Sequence, residues 1–251
     1  MGHDINSLLK GWDFEPGEIK VRKIIGNDGK EKIQLRLDLG VLQMELEGRP
    51  DGKRPFGKES LLEHFKEMSS RWQAEHGSDE GFKLNGEDCA GLQQEAIQYY
   101  HRYLSLFQLE DWDRVIRDTA RNLKVVDLAA RYGETDEMKQ SFLQFRPYLL
   151  MMHTRAIGEK HLAAGEFDLC LKNIEWGLER IREFYVSQGH VEAEQNSPEI
   201  KMLRQWLGQV RGQRPLSKKE RLQKELASAI AREQYERAAQ LRDALRAMET
   251  T

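Results

Sequence analysis

The densest group of residues that could do chemistry lies in the loop between Gly48 and Pro55. Its charged members are Arg49, Asp51 and Arg54, together with Lys53. With Asp38 and Glu45 on neighbouring predicted strands, this loop could serve an enzyme or bind a small ligand. The favoured alternative is that its glycines and prolines simply turn the chain and leave the charges solvated, because short motif matches often mislead.

The histidines and cysteines offer weaker candidates for chemistry. His101 lies among tyrosines and could be a general base in an aromatic pocket, but the polar edge of a repeat helix is favoured, and His153 is similar. Cys89 and Cys170 are far apart and form no CxxC, and the apolar helical pattern around Cys170 predicts a buried reduced thiol. No catalytic triad or GxxxxGK[ST] is found. We therefore expect no catalytic residue, no metal and no cofactor.

Charge is nearly balanced over the whole chain. The 251 residues include 39 Lys and Arg and 42 Asp and Glu, which gives a formal charge of −3. This argues against a general nucleic-acid coat, which needs a surplus of cations. Residues 214–251 hold nine Lys and Arg against six Asp and Glu, so they carry +3 and the rest −6. We interpret the basic tail as a solvated helical face, and direct DNA contact is not expected.

The remaining composition bears on the cellular compartment. The first twenty residues lack a basic start followed by a long apolar run, which predicts no secretory signal. No stretch approaches the roughly 18 uncharged apolar residues of a membrane span. Both features favour a cytoplasmic protein with no membrane contact.

The elements that would position these residues begin with a small α+β region, predicted over residues 1–86. Apolar residues alternate on both sides of a turn at residues 26–29, which predicts a β-hairpin. The alternation shifts by one residue after Gly40, so Gly40 is predicted as a bulge or turn. An amphipathic helix follows the Gly/Pro-rich loop, and residues 77–86 are predicted as a linker.

Residues 87–212 are predicted to form antiparallel helical hairpins. One hairpin turns at Glu110 and Asp111 and ends near Gly133, and a second turns at Ala164 and Gly165. At an offset of 55 residues the two segments align, with Val115, Ile116 and Leu123 matching Cys170, Leu171 and Leu178. The two hairpins are therefore predicted to be copies of one unit. Together with the sheet, they give an α+β fold that is predominantly α.

These positions resemble the tetratricopeptide-repeat family. The resemblance rests on Tyr103, Phe107, Asp111, Trp112 and Ala120, and again on Ala164, Gly165, Phe167, Asp168 and Leu178. The offset of 55 departs from that family's period of about 34, and only two units are visible. Packing of a helical bundle is favoured over a dedicated peptide groove.

The C-terminal segment, residues 213–251, is predicted to be a two-helix hairpin. Ser217 and Glu220 have capping-box spacing, and two apolar stripes flank a break at residues 232–234. A hairpin of this size supports little stability alone, so a partner helix or self-association is expected to cover its apolar surface. The predicted partner-binding residues are Leu222, Leu226, Ile230, Tyr235, Ala238, Leu241 and Leu245.

The run from Leu222 through Tyr235, Glu236, Arg237, Ala238 and Ala239 to Asp243 resembles the UVR motif. This motif is found in the excision-repair subunits UvrB and UvrC, in Clp-type chaperone ATPases and in an activator of protein-arginine kinase. The resemblance implies a non-catalytic hairpin that contacts another UVR hairpin or a different protein. It also implies a bacterial protein linked to excision repair or to protein quality control.

Two functions from different classes follow from the sequence. The first is a non-catalytic adaptor or scaffold that recruits a protein partner, another UVR protein or a second copy of itself, through the C-terminal hairpin. The second is an enzyme or small-ligand-binding protein that uses the loop from Gly48 to Pro55. A third, repair-linked DNA binding through the basic tail, is less favoured.

Overall fold

The computed structural model describes residues 4–190, 192, 196–216 and 218–249. Three strands lie near the N-terminus: β1 (Val21–Ile25), β2 (Glu31–Leu37) and β3 (Gly40–Glu45). The helices are α1 (Asn6–Leu9), α2 (Leu61–His76), α3 (Gly86–Gln108), α4 (Trp112–Tyr132), α5 (Asp136–Leu143), α6 (Arg146–Ala163), α7 (Phe167–Ser187), α8 (Pro198–Gln213), α9 (Lys218–Ala231) and α10 (Tyr235–Glu249). The α+β, mainly helical fold class is therefore confirmed.

The sheet is antiparallel, in the order β1-β2-β3. The predicted hairpin is present, and its turn is closed where the Gly26 N–H donates to the Lys30 carbonyl at 2.8 Å. Gly40 is at a turn rather than a bulge, because Leu37 pairs with Gly40 across Asp38 and Leu39. That two-residue turn causes the shift in the apolar alternation. Leu39, which continues the apolar alternation of β2 in the sequence, is 90% exposed at the tip of this turn.

Residues 77–85 do not form a free linker. Phe82 and Leu84 are buried. The Leu84 N–H donates to the Tyr132 carbonyl at 2.8 Å, and the Leu84 carbonyl accepts from the Glu134 N–H at 3.1 Å. These contacts fix the segment against the end of α4. The glycines of this segment predicted a linker. Its two buried side chains were not recognised, because two apolar residues give no periodic signal.

The α3–α4 and α6–α7 hairpins have the same turn geometry. Glu110 has φ 57° and Gly165 has φ 74°, both in the left-handed region. The Asp111 N–H donates to the Leu106 carbonyl at 3.0 Å, and the Glu166 N–H donates to the His161 carbonyl at 2.8 Å. All of these matched positions are 55 residues apart, as the sequence alignment predicted. The short helix α5, which the apolar periodicity does not predict, follows the first hairpin and precedes the second in the chain.

The second hairpin depends on a close approach of α6 and α7. A Cβ at Gly177 would overlap the Thr154 side chain: it would lie 2.8 Å from Thr154 Cβ and closer still to Thr154 Oγ1. Asn173 Nδ2 also donates to the Thr154 carbonyl at 2.8 Å, so the two helices are held at this point. Glycine at position 177 is therefore what allows the helices to meet.

The chain divides into two compact units, residues 1–207 and 208–251. The sheet and both copied hairpins lie in the first unit, and α9 and α10 lie in the second. The boundaries predicted at residues 86 and 212 stay predictions. No helix in the described part of the chain has both the length and the apolar character that crossing a bilayer requires.

Replacing Gly177 by Ala is expected to destabilise the protein by about 1–3 kcal/mol, because the new methyl group overpacks the α6–α7 contact. Gly208→Ala is the matched control, since it is also helical but a Cβ there meets nothing within 4 Å. In the control, the free energy of unfolding should rise by about 0.5–1 kcal/mol, because alanine has the higher helix propensity. Chemical unfolding followed by far-UV circular dichroism measures both, and equal effects of the two changes would contradict the close approach.

Candidate functional site

The C-terminal hairpin is the first candidate site. Its helices α9 and α10 are joined by residues 232–234, with Glu233 in the left-handed region at φ 56°. The Gln234 N–H donates to the Ala229 carbonyl at 2.8 Å, which closes the turn. The two-helix hairpin predicted at the C-terminus is thereby confirmed. The predicted capping serine, Ser217, lies outside the described residues.

The hairpin has a small core of its own. Ala229, Ala238 and Leu241 are buried, and Leu222 and Leu226 pack against them. Two alanines at the contact let the helices approach closely. Four of the seven predicted partner-binding residues therefore contact one another inside the hairpin: Leu222, Leu226, Ala238 and Leu241.

Two of the predicted residues point away from this core. Ile230 is 55% exposed and Tyr235 is 70% exposed, and they flank the turn on either side. Leu245 is partly buried. Single large apolar side chains at a surface are common. These two, however, lie at the same turn of a hairpin whose own core is small. Ile230 and Tyr235 are thus the part of the predicted site that is free to contact another molecule.

The loop between Gly48 and Pro55 is the second candidate. Arg49 Nε lies 3.1 Å from Asp51 Oδ1, so the structure brings these two predicted residues together. Arg49 also lies 3.5 Å from Glu95, whose carboxylate is fully buried. Arg54 is exposed, and no hydrogen bond or ion pair of its side chain is found in the described part of the chain. Asp38 lies in the β2–β3 turn, at the opposite end of β3 from the loop. Glu45 lies beside the loop: its N–H donates to the Pro50 carbonyl at 2.8 Å, while its carboxylate pairs with Lys32.

An arginine cluster attaches this loop to the helices. We define it as Arg49, Arg102 and Arg121 with the carboxylates Glu95 and Asp118. Arg102 is buried and donates to both oxygens of Asp118, at 2.7 and 2.9 Å. Its third nitrogen donates to the carbonyls of Glu45 at 3.0 Å and Gly48 at 2.8 Å. One guanidinium therefore fixes both the α3–α4 contact and the end of β3.

Glu95, also in the cluster, links α3 to α2. Its carboxylate accepts from the Leu61 N–H at 2.9 Å and the Leu62 N–H at 3.4 Å, which are free amides at the first turn of α2. Arg121 pairs with the same carboxylate. Burial, and then the positive charge of Arg49, lower the pKa of Arg121 to about 9, so the side chain stays cationic at neutral pH. The carboxylate is fully engaged within the protein.

The ring of Tyr99 completes the cluster. The Arg102 and Arg121 guanidinium carbons lie 4.7 and 4.1 Å from the ring centroid. The Tyr99 hydroxyl donates to the Gly48 carbonyl at 3.3 Å. The charges predicted to serve a ligand therefore mainly bind the loop to the helices. Sequence reasoning missed Arg102 and Glu95 because nothing near them in sequence marks their distant partners.

The histidine and cysteine candidates are buried or partly buried. His153 Nδ1 lies 2.9 Å from Thr119 Oγ1, and burial lowers the pKa of both His153 and His101. Cys170 is fully buried, and burial raises its pKa to about 11, which makes it a poor nucleophile. No group of three His, Cys, Asp or Glu side chains suited to a metal ion is found in the described ranges.

Replacing Arg102 by Met is expected to cost about 3–5 kcal/mol, because Asp118 loses its bidentate partner while it remains buried. Arg71→Met, which removes an arginine paired with Glu67 on an exposed surface, is the control and should change stability little. Urea unfolding followed by tryptophan fluorescence reports on the first unit, because all five tryptophans lie within residues 1–207. Equal stability of the two variants would contradict the joining role of Arg102.

Stability of the first unit is expected to fall between about pH 7.5 and 5.5. Burial lowers the pKa of His101 and His153 in the folded chain, so the unfolded chain takes up protons more readily. Their contribution is complete above the unfolded pKa of about 6.5 and is lost as the pH falls. Urea midpoints at the two pH values should differ less in a His101→Gln/His153→Gln variant, while exposed His190→Gln keeps the wild-type difference. A drop of wild-type size in the double variant would contradict this assignment.

The UvrB/uvrC motif matches residues 217–251, the segment that contains α9 and α10. No curated protein and no solved structure matches the chain. The C-terminal hairpin therefore carries a UVR motif, as its residues predicted.

Proposed function

We propose that this protein is a non-catalytic adaptor whose C-terminal UVR hairpin binds a protein partner. The observation that carries the proposal is the exposure of Ile230 and Tyr235 at the turn of the segment that matches the UvrB/uvrC motif. These two side chains do not pack in the core of the hairpin. Covering them with a partner would remove apolar surface from water at about 25 cal/mol per Å².

The partner that this surface fits best is another UVR hairpin, on a different protein or on a second copy of this chain. Two hairpins with the same apolar turn can pair symmetrically, since each offers the patch that the other needs. Arg237 lies 3.6 Å from Glu225, so the charges beside the patch are of both signs. Mixed charge at the rim suits a protein surface better than a phosphate backbone. Excision repair and protein quality control are the two settings that the motif suggests.

The division into two units supports the adaptor role. The hairpin lies in a unit separate from the sheet and the copied hairpins. The loop between Gly48 and Pro55 supports the enzyme alternative less well, because Arg49 and Asp51 already face protein groups. The first unit then serves as the body that carries the hairpin.

The experiment compares two charge-matched double variants of the tagged full chain. Ile230→Asp/Tyr235→Asp places two carboxylates at the exposed turn, and Gln223→Asp/Gln240→Asp places two on exposed positions elsewhere on the hairpin. Affinity purification with mass spectrometry identifies the partner, and titration then measures its Kd. We expect the turn variant to bind at least about tenfold more weakly, as for loss of hot-spot residues, and the control to bind like wild type.

Self-association is tested with the same variants by sedimentation equilibrium. A wild-type dimer that the turn variant loses and the control keeps would identify the second copy as the partner. Equal partner recovery and equal oligomeric state for wild type and the turn variant would contradict the proposal. Leu226→Asp/Leu241→Asp serves a different purpose: these residues pack inside the hairpin, so that variant should lose helicity.

A further inference from the structure

A cavity of about 440 Å³ lies in the first unit, and its walls come from α3, α4, α5 and α6. Its lining is mainly apolar and aromatic and includes Ile97, Tyr100, Tyr103, Phe142, Phe145 and Tyr148. The volume falls within the range of about 300–1,000 Å³ typical of small-molecule sites. No residue of the arginine cluster is among the described residues that line it.

The cavity has a buried floor and an accessible mouth. Tyr103 is 1% exposed and Phe142 is 4% exposed, whereas Ile97 is 44% exposed and Phe145 is 48% exposed. Side chains that are half in water at the mouth would gain apolar contacts if an occupant entered. A molecule can therefore reach the floor without unfolding the helices.

The lining is uncharged, which limits what can bind. None of the lining residues is Lys, Arg, Asp or Glu in the part of the chain that the structure describes. Burial lowers the pKa of His101, so its imidazole is neutral near pH 7. Asn122 Nδ2 donates to the Ala96 carbonyl at 3.0 Å. A charged occupant would lose its hydration without meeting an opposite charge, which is costly. A neutral occupant does not have this desolvation cost.

The lining is also rich in aromatic rings arranged edge to face. The Tyr100 ring lies 5.5 Å from Tyr103 at 87° and 5.4 Å from His101 at 63°. It lies 6.3 Å from Tyr148, in a tilted arrangement. Rings in this geometry present both edges and faces, the surfaces that another aromatic ring contacts favourably at 4.5–7 Å. Tyrosine hydroxyls and the histidine add neutral hydrogen-bonding groups.

We propose that this cavity is a binding site for a neutral aromatic small molecule. The proposal goes beyond the adaptor function, since it concerns a different unit of the chain. The evidence is the combination of size, accessible mouth, uncharged lining and edge-to-face rings.

The test uses the neutral naphthalene dye Prodan and the anionic dye 1-anilinonaphthalene-8-sulfonate with the full chain. Prodan should show a saturable blue shift in its emission, and the anionic dye should bind at least about tenfold more weakly. Ile97→Trp fills the mouth and should weaken Prodan binding at least about tenfold. Leu169→Trp, at an equally exposed position on α7 outside the cavity, should bind like wild type.

Phe145→Ala provides a second variant in case Ile97→Trp disturbs folding, which circular dichroism reports. It removes a half-exposed ring from the mouth and should also weaken Prodan binding. The proposal is overturned if wild type gives no saturable shift, if both mouth variants bind like wild type, or if the anionic dye binds equally well. A capped phenylalanine pentapeptide that displaces Prodan better than indole does would overturn it in favour of a peptide site. Dimerisation that Ile97→Trp abolishes would overturn it in favour of a second copy.

Discussion

The buried pair of Arg102 and Asp118 is the interaction on which the first unit depends. Arg102 on α3 donates hydrogen bonds to Asp118 on α4. It also donates to the carbonyls of Glu45, at the end of β3, and Gly48, in the loop that follows. A buried guanidinium is costly unless nearly all its N–H groups have acceptors, and here the Glu45 carbonyl in β3 and the Gly48 carbonyl in the loop after it supply two of them. Arg102 on α3 therefore links the α3–α4 hairpin to the end of the sheet through hydrogen bonds. Glu95 links α3 to the first turn of α2 in the same way, because its carboxylate accepts from the Leu61 N–H.

The sequence predicted those elements that local patterns determine. Turn residues and periodicity located the first β-hairpin, the turns at Glu110 and Gly165, and the C-terminal hairpin, because each depends on neighbours within a few residues. The 55-residue offset between the two copied hairpins was visible for the same reason. The short helix α5 was missed, because eight residues give too few turns for a periodic signal.

The candidate sites were less predictable because they depend on contacts between distant segments. Arg49 and Asp51 suggested a ligand loop, but Glu95 lies far along the chain and nothing in the loop indicates that it faces Arg49. On the C-terminal hairpin, periodicity identified two apolar stripes without showing which of their residues pack between the two helices. The structure divides the predicted residues, with Leu226 packed into the hairpin core and Tyr235 exposed.

The central claim is that the exposed turn of the UVR hairpin contacts a protein partner, and site-specific photocrosslinking tests it most directly. A photoreactive phenylalanine analogue is placed at Tyr235 in one chain and at exposed Gln240, on the same helix, in another. We predict one defined crosslinked protein, or a crosslinked second copy, from position 235 and none from position 240. Equal crosslinking from the two positions, or none from position 235, would contradict the account.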